Sequence, residues 1–162
     1  MGETHEQRVN RELSELLNEL RVALPGVQVL FGFLLTTPFQ AGFSRITTFE
    51  RDIYFATLLS TAAATMLLVA PAAQHRLLFL QRDKESMLLR FNRYAIWGLV
   101  FLGASLCGAS LLVTSILFSV PAAVSTAVAV VVALEGLWFL RPLVLRASTS
   151  RRGADEQPEP SR

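Results

Sequence analysis

The chain has 162 residues, of which 52% are hydrophobic and only 17% charged, with a formal net charge of +2 at neutral pH. A water-soluble domain of this length covers a small core with a large charged surface, so this composition argues against one. An isoelectric point near 9.2 would suit nucleic acid, but the basic residues flank apolar runs and build no basic domain, so no nucleic-acid partner is expected.

Residues 1–24 read as a cytoplasmic segment carrying an amphipathic helix. Val9, Leu13, Leu16, Leu17, Leu20 and Leu24 recur at helical spacing on one face, while Glu12, Glu15, Asn18 and Glu19 fill the rest, with Arg11 in reach of Glu15. This helix is expected to lie at the interface or to pack on the chain's own central loop. No short apolar stretch ends at a small-residue cleavage site, so no secretory signal is expected here. Pro25-Gly26 is expected to break or bend the chain.

Residues 25–140 then hold four apolar runs, at about 25–43, 53–73, 94–118 and 121–140. Each suffices to cross a bilayer, which takes roughly 20 helical residues. Strand alternation is absent, and helices satisfy their own backbone in hydrocarbon, so the fold class is all-α: a polytopic membrane protein with four transmembrane helices and an N-terminal amphipathic helix. Pro121 suits the first turn of the fourth helix, with Ser119 as its cap. Pro38 and Pro71 are tolerable where Ser, Thr or a neighbouring helix takes the carbonyls they free, and Thr36 and Thr37 lie close to the first. Hydroxyls within the spans are expected to bond their own helix backbone. The lone cysteine, Cys107, excludes an internal disulfide, and its setting in "GASLCGAS" points to packing.

Between the second and third spans, the cytoplasmic loop 75–93 has apolar clusters at Leu77–Leu80 and Met87–Phe91 around a charged middle. It reads as a helical hairpin or a pair of helical extensions whose leucines can bury those of the N-terminal helix. The tail, 141–162, is polar and holds two prolines, which predicts disorder. Orientation follows from the basic residues. Three precede the first span, five lie in loop 75–93 and five follow the fourth, whereas Arg45 and Arg51 alone fall on the other side. The positive-inside rule then puts both termini and the central loop in the cytoplasm, in a chain read as a multi-pass plasma-membrane protein. Tyr94, Trp97 and Trp138 fall at the same interface, and the basic residues there face anionic headgroups of the bilayer.

Three stretches carry a family resemblance: "LNELRVALPGVQVLFGFLLTTPF" from Leu17, "APAAQHRLLF" from Ala70 and "NRYAIWGL" from Asn92. Together they resemble an uncharacterised actinobacterial family of four-span integral membrane proteins, catalogued as a domain of unknown function. The resemblance covers about Leu13 to Pro142, with the last span alike only in hydrophobic character. It implies membership and topology, and it supplies no activity and no functional residue.

One acid stands inside the fourth run. Glu135 lies six residues before Arg141, about 9 Å inward at 1.5 Å per residue. An acid at mid-bilayer costs roughly 2.5–3.5 kcal/mol on insertion scales and less near the edge. Glu135 is therefore expected to have a partner or a proton. Gln28 lies at nearly the same depth on the first span, and His75 and Arg76 close the second on the same side, so the candidate polar cluster is Glu135, Gln28, His75 and Arg76. A stripe of small residues, Ala122, Thr126, Ala129, Ala133 and Gly136, lies roughly 140° round the helix from Glu135. Either the stripe faces the other helices and Glu135 meets a second subunit, or the reverse. Both arrangements favour a homo-oligomer.

HExxH, CxxC, phosphate-loop and GxSxG motifs are absent, so no enzyme is expected. No cofactor or metal is expected either, since Glu135 and His75 are too few ligands. The leading expectation is a non-enzymatic structural or interaction protein, and the alternative is a small ion- or proton-coupled transporter, or a subunit of one, using Glu135.

Overall fold

The computed structural model describes residues 4–77 and 84–140. Among them are four helices long and apolar enough to cross a membrane, and no strand. Helix α1 runs His5–Thr36, followed by 3-10 turns at Thr37–Phe39 and Phe43–Arg45. Then come α2 (Thr48–Leu77), α3 (Lys84–Leu117) and α4 (Val120–Leu134), the last passing into a π-helical turn at Glu135–Leu140. Of the first predicted span, residues 25–36 lie on α1 and 37–43 in and between the 3-10 turns, while the other three coincide with α2, α3 and α4 with its π-helical turn. The centre of loop 75–93, at residues 78–83, and the tail from residue 141 lie outside the described residues, as does the disorder expected of that tail. The loop's flanks are extensions of α2 and α3.

Helix α1 starts with a reciprocal cap. The Gln7 N–H donates to Thr4 Oγ1 at 3.4 Å, and the Thr4 N–H donates to Gln7 Oε1 at 3.0 Å. The helix then continues through Pro25 without ending, which corrects the break expected at Pro25-Gly26. A proline inside a helix costs about 3 kcal/mol. Against this, burying each valine or leucine away from water contributes about 1.5–3 kcal/mol, and Val9, Leu13 and Leu20 are all buried ahead of the proline. A break would swing that half away from what covers it. Leu13 packs with Met87 and Phe91, joined by Leu16, Leu17, Leu88 and Tyr94, so the amphipathic half of α1 lies on the extension of α3. Pro25 itself is on the exposed side.

Helices α1, α2 and α3 form the core. Its centre is Leu20 and Val27 of α1 with Ala64 and Leu68 of α2, and Ala95, Phe101 and Leu102 of α3 pack against them. Close approach of backbones is the main source of helix association in lipid, and two glycines of α3 permit it. A Cβ on Gly98 would lie 2.6 Å from Leu68 Cδ2, and one on Gly108 would overlap the Thr57 hydroxyl. Hydroxyls in the spans bond their own helices, as expected. Thr57, Thr61 and Thr65 donate to Ile53, Thr57 and Thr61 carbonyls at 2.7–2.8 Å, and Ser105, Ser110 and Thr114 do likewise on α3.

At the far end from the termini, Pro38 cannot donate a hydrogen bond to the carbonyl of Leu34. That oxygen accepts instead from the Thr37 N–H and from the buried Tyr54 hydroxyl at 2.9 Å, so α2 adds a second bond at the end of α1. Thr36 and Thr37 both donate to the Phe33 carbonyl, at 2.9 and 2.8 Å. Phe43 closes the corner edge-on to the Tyr54 ring, with centroids 5.1 Å apart.

Helix α4 begins where Ser119 and Pro121 predict, although the Ser119 side chain makes no capping bond. It packs on α3 alone: among the described residues it contacts neither α1 nor α2. The protein is thus a three-helix core with α4 laid along one side.

Candidate functional site

The line of α4 that meets α3 runs through Ala123, Ala127, Val130 and Leu134, all at least half-buried. Spaced by four, three and four, they form one face at about 100° per residue. The stripe containing Ala129 and Ala133 lies roughly 110° to one side of that face, and Glu135 lies roughly 110° to the other. Of the stripe, Ala122, Thr126 and Gly136 are half-buried while Ala129 and Ala133 are exposed, and Glu135 is exposed, so the stripe borders the α3 contact on one side and Glu135 borders it on the other.

Gln28 is exposed on α1, which α4 does not touch among the described residues, so Gln28 and Glu135 are not neighbours. Depth matched them, but azimuth separates them. His75 and Arg76 belong to the last turn of α2, and their side chains lie outside the described residues. Among the described residues Glu135 has no hydrogen bond or ion pair to its side chain.

What Glu135 does border is a groove. Helices α3 and α4 diverge to leave an open cleft of about 470 Å³, with Val100, Gly103, Ala104 and Cys107 on one wall and Val131, Leu134, Glu135 and Trp138 on the other. Its narrow point is Gly103, where a Cβ would lie 3.5 Å from Leu134 Cδ1 and 3.9 Å from Trp138 Cζ3. The π-helical turn begins at Glu135 itself. Such turns add a residue to the helical ring and recur at functional sites. The groove offers apolar walls, one carboxylate and one indole, a set suited to binding rather than bond-breaking. No three His, Cys, Asp or Glu side chains converge on a metal position among the described residues.

A second acid went unread in the sequence. Glu50, in the first turn of α2, accepts from the Thr47 N–H at 2.8 Å and the Thr47 hydroxyl at 2.9 Å, while its own N–H donates to Thr47 Oγ1 at 3.3 Å. Its other oxygen accepts from the Ser115 hydroxyl of α3 at 3.2 Å. The Thr47-x-x-Glu50 spacing is a capping-box signal that was present in the chain. The bond from Ser115 bridges 65 positions and carried no local signature. Glu50 thus has hydrogen-bond partners on two helices, sharing the Ser115 hydroxyl with the Leu112 carbonyl at 2.9 Å, whereas Glu135 has none among the described residues.

Among comparisons with known proteins, the family described as "Family of unknown function (DUF6328)" matches residues 2–142. The match takes in the amphipathic half of α1 as well as the four apolar helices. No curated protein and no solved structure matches the chain.

Proposed function

The chain belongs to this family, and we propose that it works as a non-enzymatic interaction protein of the plasma membrane that self-associates through α4. The observation that carries this reading is that, among the described residues, α4 packs on α3 and on neither α1 nor α2, which leaves much of a highly apolar helix uncovered by them. The flank bearing Ala129 and Ala133 is smooth enough for close approach to a second copy. Both termini and the central loop face the cytoplasm in this reading, supported by thirteen of the fifteen basic residues falling on that side. Those residues attract anionic headgroups, each by about 1 kcal/mol.

Single cysteines at Ala129 or Ala133, in a Cys107→Ser background, test the association by oxidation in native membranes. Disulfide-linked dimers are the expected product, and monomer at every position sinks the reading. Reporter fusions at Thr47 and after Ser148 should report opposite sides. The second reading, a proton- or ion-coupled transporter or transporter subunit, is favoured by one observation: Glu135 has no partner among the described residues and borders an open groove. Glu135→Gln keeps its shape and removes its charge, so coupled flux that survives this change eliminates the transporter.

A further inference from the structure

We propose that the groove between α3 and α4 is a binding site for a lipophilic cation, an alkylammonium amphiphile whose charged head sits between Glu135 and Trp138 and whose tail lies along α3 toward Cys107. This goes beyond self-association, which uses the opposite flank of α4, and either can hold without the other.

The argument begins with the acid. A carboxylate on the apolar part of a helix is expensive unless it is paired, and the fold gives Glu135 no pairing group among the described residues. The α3 wall of the cleft is Leu99, Val100, Gly103, Ala104 and Cys107, none of them charged. A cation entering from the side would supply the missing counter-charge. An oppositely charged pair in a poorly screened setting is worth far more than the same pair in water.

The second group is the indole. Trp138 is half-buried, one helical turn from Glu135, and lines the same cleft. Among aromatic faces tryptophan attracts ammonium groups most strongly, and aromatic walls are how proteins hold quaternary ammonium heads that cannot donate hydrogen bonds. Carboxylate and indole together thus select for positive charge.

The third feature is shape. On α3 the groove extends from Leu99 to Cys107, about 12 Å of helix at 1.5 Å per residue. Leu99 lies six residues past Arg93 on α3, so that end of the groove is about 9 Å along the helix from a basic residue. An amphiphile can place its head at that end while its tail follows Val100, Ala104 and Cys107 inward. The small side chains of Gly103 and Ala104 are what leave room for it. At about 470 Å³ the opening is within the range of ordinary small-molecule sites.

The chain carries its own reporter, because Cys107 is its single cysteine and lines the inner end of the groove. The full-length protein in maltoside micelles is treated with N-ethylmaleimide while dodecyltrimethylammonium, dodecanol or dodecanoate is titrated in. The cation is expected to protect Cys107 at a concentration at least tenfold lower than the neutral or anionic chain. Glu135→Gln should erase that preference, and Ala104→Phe, which fills the tail channel, should remove protection by the cation. Circular dichroism verifies that both variants stay helical. Equal protection by all three chains overturns the proposal, as does a cation preference that survives Glu135→Gln, or protection untouched by Ala104→Phe. Cys107 that is unreactive before any amphiphile is added, in a protein that crosslinks through Val131→Cys, would give the groove to a second copy and overturn it equally.

Discussion

Replacing Gly108 with alanine probes the closest approach in the core. The new Cβ would sit 3.1 Å from Thr57 Cβ and 3.3 Å from Cγ2, with the hydroxyl nearer still. Carbon atoms in contact prefer about 3.5–4.0 Å, so α2 and α3 must part by about half an ångström or more. Thr57 cannot swing aside without cost, because it is buried and β-branched, and its hydroxyl is bonded to the Ile53 carbonyl at 2.7 Å. Overpacking of this kind costs about 1–3 kcal/mol, roughly a 5- to 150-fold loss in the folded-to-unfolded ratio. Alanine's better helix propensity works the other way by up to about 1 kcal/mol. That gain is the same whatever residue 57 is, so a double-mutant cycle with Thr57→Ala cancels it. The assay is reversible unfolding in mixed micelles, followed by circular dichroism as dodecyl sulfate increases. Gly108→Ala should destabilise the protein, and the same change in a Thr57→Ala background should cost at least about 1 kcal/mol less. Simple additivity of the two changes would refute the packing argument.

Three further substitutions have defined outcomes. Tyr54→Phe removes one of the two donors to the Leu34 carbonyl and should lower stability in the same assay by about 0.5–1 kcal/mol; no change would mean that the Thr37 N–H alone satisfies that oxygen. Phe91→Ala empties a fully buried position against Leu13 and should cost about 3–5 kcal/mol. Its specific signature is faster trypsin cleavage at Arg11 and Arg21 with the apolar helices intact. Glu50→Ala deletes the carboxylate half of the capping box on α2 together with its bond from Ser115, leaving the Thr47 hydroxyl on the residue-50 N–H, and should cost about 0.5–1.5 kcal/mol, whereas Ser115→Ala should cost less because Thr47 still holds the carboxylate.

Much of this architecture was legible in the residues. Apolar length marked the four helices, the Leu13–Leu24 periodicity found the buried face of α1, and Ser119-Val-Pro121 marked the start of α4. Pro25 misled because a local rule was read without the packing on either side of it, where Leu20 and Val27 share one cluster. Gln28 and Glu135 misled for a different reason. Counting residues from a basic anchor fixes height along the membrane normal, but says nothing of which helices are neighbours. Neighbour identity was written in Gly98 and Gly108, which fit Leu68 and Thr57, and that complementarity shows only once the helices are placed. The groove beside Glu135 is invisible in the chain for the same reason, since it is made by residues some thirty positions apart.

The unbroken course of α1 has a mechanical consequence. Its 32 residues make a rod about 48 Å long at 1.5 Å per residue, against about 30 Å of hydrocarbon. A single stiff rod cannot both cross a membrane and recline on its surface. About 18 Å of a crossing rod that long extends past the hydrocarbon, and its amphipathic end is braced on α3 through Leu13, Met87 and Phe91, so force on that end passes along the helix to the end that Tyr54 grips.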